Sequence, residues 1–322
     1  MRLFLHGIFT AILASGTAAA AAQAFPTKPI RLIVPFPPGA GADIVARMIG
    51  QGLGASLGNP VVIDNRSGGS GIVGTEIAAR STPDGHSLLL ATGGLLTVVP
   101  YMQKDLPYST KRDFSPITLA AATPNILVVP LALPVHSVNE LIALAKSKPG
   151  ALNYASTGIG TGSHLATELF KMQASINIIN VPYQGSPQAL IDLISARVDL
   201  FFSNALGAIP LVRNGKLRAL GVTSPVRLPI AADVPTIAES GLPGFATETW
   251  YGLLAPARTP RDIINRLNAE IVKVVRLPTS ETRLAETGAR AIGDTPEQFR
   301  AYISSESATW SKVVAAAGLS AK

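Results

Sequence analysis

The chain of 322 residues reads as an α/β protein of two doubly wound lobes joined by a hinge. Three observations predict this. Short apolar runs alternate with segments of helical periodicity, the rhythm of parallel strands covered by helices on both faces. The length exceeds what one hydrophobic core usually serves. Two apolar segments, residues 117–130 and 247–255, stand where the chain would pass from the first lobe to the second and back. Domain one therefore comprises 25–123 and 248–322, and domain two 124–247. Two crossings imply a cleft that opens and closes by hinge motion.

The elements follow in order. Residues 30–36 carry Ile30, Leu32, Ile33, Val34 and Phe36 and read as a buried strand. A Pro/Gly turn, 37–42, leads into a helix marked by Ile44, Val45, Met48 and Ile49 at helical spacing. Residues 60–64 form a second strand, 71–80 a second helix and 87–92 (SLLLAT) a third strand ending at Gly93-Gly94. Residues 101–115 are polar and turn-rich, a surface excursion. The run 117–130 is broken by Thr123-Pro124-Asn125 and makes the first crossing.

Domain two repeats the alternation. Ser137 and Glu140 form a capping box opening a helix to about Lys146. Strand 152–156, turn 157–162 and a helix with Leu165, Ala166, Leu169 and Phe170 on one face come next. Strand 176–181 precedes a helix starting at Ser186-Pro187. Strand 198–202, helix 205–213 and strand 217–223 complete the lobe, and 247–255 returns to domain one. The remainder reads as helical, with capped starts at Thr259-Pro260 and Thr295-Pro296, Pro at the first helical position, and a last helix packing back across domain one.

Composition narrows the function. Hydrophobic residues are 47% of the chain, enough for large cores. There is no cysteine, so disulfides and thiolate metal sites are excluded. The formal charge of +7 is scattered, without the interleaved aromatics of a nucleic-acid surface. Residues 1–24 have the pattern of a cleavable export signal: Met1-Arg2, an apolar stretch from Leu3 to Ala14, and Ala22-Gln23-Ala24 before Phe25. The expected location is the periplasm, which makes nucleotide-dependent chemistry a poor fit.

Two stretches concentrate the chemistry. Residues 36–43 and 156–164 are each a strand end, a Gly-rich turn and a helix start, one per lobe, and neither contains Arg or Lys. Such turns point unpaired N–H groups at one spot and favour an anion through hydrogen bonds and the helix dipole. The dipole contributes roughly 0.3–2 kcal/mol per anionic end, and each hydrogen bond to a charged group about 1.5–3 kcal/mol. Three or four suffice for micromolar binding, about −8 kcal/mol, after the cost of association.

The segments PFPPGAGAD, DNRSGGSG, PDGHSLLL, NYASTGIGTGSHLATELF, VPYQGSPQAL, LRALGVTS, VPTIAESGLPGF, WYGLLAPARTP and ATWSKVVAAAGL, in this order, resemble the Bug-type extracytoplasmic solute receptors of tripartite tricarboxylate transporters. The resemblance spans essentially all of the chain after the leader. It implies a two-lobed, type II periplasmic-binding-protein fold closing on a small mono-, di- or tricarboxylate. It implies contacts through backbone amides, hydroxyls and waters, and partners in the membrane subunits of a transporter. It also implies a monomer, with no cofactor, no metal and no catalytic residues.

Mapped onto these positions, Phe36 and Pro37 correspond to the pocket wall and Gly39, Ala40 and Gly41 to the amide donors; the family usually has Gly where Ala40 stands. Asp43 reads as an N-cap, or as a ligand contact if the ligand carries an ammonium. Thr92 and Gly93 end a strand at the edge where open α/β sheets bind ligands. Ser156, Thr157, Gly158, Gly160, Thr161, Ser163 and His164 form the second turn. Ser156 and Ser163 are the best direct contacts there, Thr161 an N-cap and His164 a structural hydrogen bonder. Tyr183 lines the cleft, and Ser203 and Asn204 follow strand 198–202. Many family members carry an acidic residue at the position of Ser203, so its absence points to a plain carboxylic acid over an amino acid. His86 is expected in a surface turn.

Rival readings are weaker. Gly69, Gly71 and Gly74 match the G-x-G-x-x-G dinucleotide pattern, but no acidic residue follows about 20 positions on. No G-x-S-x-G elbow exists, and Ser156 with His164 lacks an orienting third group. Sugar binding would need more aromatics than the 6% present. A binding protein that serves a sensor needs the same closed cleft and stands beside the transport reading.

Overall fold

The computed structural model describes residues 25–286 and 288–316. The expected export leader, 1–24, lies outside them. The first lobe starts with β1 (Ile30–Val34), α1 (Gly41–Leu57), β2 (Val61–Asn65), α2 (Ile72–Ala79) and β3 (Ser87–Thr92). Helix α1 buries Val45, Met48, Ile49 and Leu53 and stops at Gly58, which takes the left-handed conformation (φ +66°) common at helix ends. Gly74 serves helix-on-strand packing: a Cβ there would stand 2.7 Å from the Arg66 carbonyl and 2.8 Å from Pro35. That accounts for the glycine pattern without a nucleotide.

Residues 99–113 carry two short helices, α3 (Val99–Met102) and α4 (Thr110–Asp113). The excursion is anchored by buried Tyr108, whose hydroxyl donates to the Leu95 carbonyl. The next segment departs from expectation. It is one continuous strand, β4 (Phe114–Pro130), not two apolar runs. The polar break marks a change of partner. From Phe114 to Pro124 the strand pairs with β9 (Glu248–Pro256), and from Asn125 onward with β7 (Leu200–Asn204). A proline is tolerated at such a switch because the ladder does not need its N–H there.

The second lobe carries α5 (Val138–Ser147), β5 (Asn153–Ser156), α6 (Gly162–Ala174), β6 (Ile179–Pro182), α7 (Ser186–Ile194), α8 (Ala205–Arg213) and β8 (Leu217–Val222) around β7. The Ser137 capping box forms as expected: the Glu140 N–H donates to Ser137 Oγ at 3.1 Å, and Glu140 accepts from the His136 N–H at 2.7 Å. After β9 come α9 (Arg261–Val275), α10 (Pro278–Ala285), the short strand β10 (Arg290–Ala291) and α11 (Pro296–Ala316). The remainder is thus not wholly helical, since β10 pairs antiparallel with β4. The start at Thr295 is a reciprocal box with Gln298. The start at Thr259 is not: Pro260 occupies the N-cap itself, and the Thr259 hydroxyl donates to the Pro256 carbonyl.

The strands run β2-β1-β3-β9-β4-β7-β5-β6 in one curled sheet, with β8 and β10 added along β4. The outer strands of each lobe are parallel, as the alternation predicts. The crossing strands are antiparallel to their neighbours, because each runs back toward the other lobe. Each half of the sheet is covered on both faces. In the first lobe α1 and α9 bury Ile30, Leu32, Leu267 and Ile271 on one side, and α2 and α11 bury Ile33, Leu89, Trp250 and Phe299 on the other. In the second, α5 and α6 pack on Leu127, Phe170 and Phe202, and α7 and α8 on Ile126, Leu193 and Phe201. His86 is not in a surface turn. It is buried, accepts from the Thr27 N–H at 3.2 Å and packs edge-on against Phe25. Among the described residues no helix is long and apolar enough to cross a membrane.

Candidate functional site

Strand β1 of the first lobe runs opposite in sense to β5 and β7 of the second, so their C-terminal ends face each other near the switch in β4, and each hands the chain to a helix. The turns after β1 and β5 meet across a small cavity of about 50 Å³ between the lobes. The lobes touch around its mouth. Pro37 lies against Gly185, Ser70 against Gly158 and the Gly160 carbonyl against Gly94, each so close that a Cβ on the glycine would clash. This is a closed arrangement.

Four helices begin at the cavity. It is lined by Gly41 and Ala42 of α1, Gly162 and Ser163 of α6, Ser186 of α7, and Asn204, the N-cap of α8. The first N–H groups of a helix have no partner within it, and the dipole places positive potential there. Hydroxyls of Thr92, Thr157, Thr161, Thr249 and Tyr251 surround the same space, with Asn125 at the hinge and the rings of Phe36 and Phe201 as apolar walls. No Arg, Lys, Asp or Glu is among the lining residues. The chemistry on offer is donor hydrogen bonds and dipoles, suited to holding an anion without an ion pair.

The second turn is pre-organised by its own hydroxyls. Ser163 Oγ accepts from the Thr157 N–H at 2.9 Å and lies 3.0 Å from Thr157 Oγ1 and 3.1 Å from Thr161 Oγ1. Thr161 is the N-cap of α6 by position, but its hydroxyl donates to the Gly158 carbonyl at 2.7 Å and makes no cap bond. Both nitrogens at the crossing stay occupied: Asn125 donates through Nδ2 to the Gly162 carbonyl, and its N–H donates to Thr223 Oγ1 at 2.8 Å.

Of the residues singled out from sequence, Phe36, Ala40, Gly41 and Thr92 line the cavity from the first lobe. Thr157, Thr161, Ser163 and Asn204 line it from the second. The others sit behind the lining. Asp43 is not the N-cap of α1, which is Ala40. One turn into the helix, its carboxylate accepts from the Gly39 N–H at 2.9 Å, from Arg47 Nε at 2.9 Å and from Asn65 Nδ2 at 3.0 Å. Burial alone would raise this carboxyl, but the bonds from Arg47, Gly39 and Asn65 outweigh it and hold it below the ordinary carboxylate range. Its charge is thus consumed by the turn.

Pro37 and Gly39 shape the mouth against Gly185 and Pro187, and Gly93 lies under the Trp250 ring. Ser156 is buried, its Oγ accepting from the Gly158 N–H at 3.4 Å, while Gly158 and Gly160 (φ +112° and +79°) bend the turn. His164 is structural, as its position suggests: Nδ1 accepts from the Gly160 N–H at 3.4 Å, and burial holds the imidazole below its ordinary pKa despite Glu168 nearby. Tyr183 is not among the residues lining this cavity; its hydroxyl donates to Asp192 Oδ2 at 3.0 Å on α7. Ser203 lies within β7, fully buried, with its hydroxyl on the Asn204 carbonyl. It is not among the residues lining this cavity.

Sequence reasoning missed Ala42, Asn125, Gly162, Ser186, Phe201, Thr249 and Tyr251. Ser186 was legible, because it opens a helix directly before a proline. Asn125, Thr249 and Tyr251 were not, because their place depends on how the crossing strands pair.

The model of the tripartite tricarboxylate transporter family receptor matches residues 45–319. Protein BugT of Bordetella pertussis is 36% identical over 99% of this chain and 98% of its own. Among solved structures, the R. palustris protein Rpa4515 with adipate superposes with a TM-score of 0.90 at 36% identity, covering 92% of this chain and all of that one. MatC from Rhodopseudomonas palustris with bound malate gives 0.86 at 31%, covering 90% of this chain and all of that one. These matches run through both lobes. With fold, turns and sequence in agreement along its length, the chain belongs to the tripartite tricarboxylate transporter receptors, a family of periplasmic solute-binding proteins and not of enzymes.

Proposed function

We propose that this receptor captures a small carboxylate, a mono-, di- or tricarboxylic acid, in the interlobe cleft and delivers it to the membrane subunits of a tripartite tricarboxylate-type transporter. The observation that carries the reading is the convergence of four helix N-termini on a cavity whose lining holds hydroxyls and amides but no charged side chain. A carboxylate in that field exchanges water for fixed donors, and its charge is neutralised by dipoles already aligned. The adipate and malate in the related structures support the same ligand class.

The working units are residues 25–123 with 248–322, and 124–247, closing about the switch in β4 and the start of β9. The protein acts as a monomer in the periplasm, exported by residues 1–24 and released before Phe25. N-terminal sequencing of secreted protein tests the last point. Calorimetric titration and melting of purified protein against acids from acetate to citrate, with glucose and galactose as controls, test the ligand. A rise in melting temperature with at least one acid is the expected outcome. Shifts with sugars alone would reverse the assignment.

A further inference from the structure

The cleft contains a buried hydroxyl whose proton has no acceptor among the described residues. Tyr251, in β9, is 2% exposed, and its ring edge reaches the cavity. Its Oη lies 2.6 Å from Nδ2 of Asn204, across the interface between the lobes. The direction of that bond is set from the far end of the amide. Asn204 caps α8, and its Oδ1 accepts from the Leu206 N–H at 3.0 Å. A carboxamide has one accepting end and one donating end. With the oxygen committed to the cap, only the NH₂ end faces Tyr251, so the phenol oxygen is the acceptor.

The phenol proton must therefore point elsewhere. Among the described residues, Tyr251 Oη makes no second hydrogen bond, and burial pushes its pKa well above the ordinary phenol value, so the O–H stays intact. The hydroxyl also sits where α1 begins: a Cβ on Gly41 would stand 2.5 Å from Oη. The hydroxyl with its open donor thus stands beside the start of α1, on a residue that lines the cavity.

We propose that the Tyr251 hydroxyl donates to one carboxylate oxygen of the ligand, with Asn204 as the positioning residue that dictates its direction. This deepens the carboxylate reading above and rests on it. Two consequences follow for specificity. At this spot the cleft favours an oxygen that accepts, most strongly a deprotonated carboxylate, and turns away a group that can only donate, such as an ammonium. Because Asn204 belongs to the second lobe and Tyr251 to the first, the donor is aimed only when the lobes are together, which links recognition to closure.

The test is calorimetric titration of wild type, Tyr251→Phe, Asn204→Ser and the double variant with succinate, malate and adipate, beside unliganded melting curves. Tyr251→Phe removes one oxygen and keeps the ring; affinity for the best acid should fall about 10-fold or more. Asn204→Ser keeps a capping oxygen for Leu206 but drops the amide donor, so unliganded stability holds while affinity falls less than with Tyr251→Phe. In the double variant the two losses should not add, because both act through one hydroxyl. Gly41→Ala, which presses on that hydroxyl from α1, should lower affinity in the wild-type background and lower it less once Tyr251→Phe has removed the oxygen. Tyr251→Phe binding as tightly as wild type would overturn the Tyr251 assignment alone. Additive losses in the double variant would overturn the positioning role of Asn204. A wild-type protein that binds none of these three, nor any acid of the panel from acetate to citrate, would overturn the carboxylate reading and this assignment together.

Discussion

Asp43 and Ser163 stand at matching places, one turn or less inside the helices that open the two lobes' cleft, yet they carry different work. Asp43 is spent on structure: three donors converge on a carboxylate whose side chain is 3% exposed. Asp43→Asn should cost about 2 kcal/mol at pH 7, within the roughly 1–3 kcal/mol expected for breaking a buried charged set. The pH dependence has a definite sign. The folded carboxyl is held below its ordinary value of 3.8, so its stabilisation is full above that pH and is lost as pH falls below it. Urea melts at pH 7 and pH 3 should show the gap between wild type and Asp43→Asn shrinking at the lower pH. A constant gap would mean that the charge is not what the turn uses.

Helix starts are the functional unit at the next scale. Those of α1, α6, α7 and α8 meet at the cavity, and an acid built into one of them separates stability from binding. Ser163→Asp places a carboxylate at the second residue of α6, where the dipole welcomes it. The melting temperature should hold or rise while carboxylate affinity drops at least about 100-fold, since the new charge occupies the donors and repels the ligand. Unchanged affinity would remove the helix-start account. Away from the cleft, the reciprocal box at Thr295 and Gln298 starts α11, which covers one face of the first lobe. Thr295→Ala should lower unfolding free energy by about 1 kcal/mol and leave binding untouched, as denaturant titration and calorimetry together would show.

At the scale of the whole molecule the proposed function requires closure. The mouth contacts leave no room for a methyl on Gly185, whose extended backbone (φ −179°) any residue can adopt. Gly185→Ala should therefore leave both lobes folded while its methyl, meeting Pro37, opposes closing. Affinity should fall about 10-fold, a cost of roughly 1.4 kcal/mol on the closed state alone, with melting of the unliganded protein unaltered. X-ray scattering with and without ligand would report whether the variant still contracts.

Much of this was legible before any coordinates. Strand-turn-helix units, both cleft turns and eight of the eighteen residues named for the site follow from local pattern, because hydrophobic period, capping and glycine turns act within a few residues of chain. His86, Tyr183 and Ser203 were misplaced for a common reason: burial and side-chain partners depend on what folds over a segment. Asp43, read as a cap, is instead held by Asn65, 22 positions away. The sequence by itself determined that two Gly-rich turns free of Arg and Lys, 36–43 and 156–164, each lead from a strand into a helix. Only the tertiary structure decided that β4 runs unbroken through the hinge, that four helix starts converge there, and that Asn204 orients Tyr251 across the gap. Those facts depend on strand pairing and side-chain contact between segments far apart in the chain, and local periodicity carries no record of which distant segments will meet.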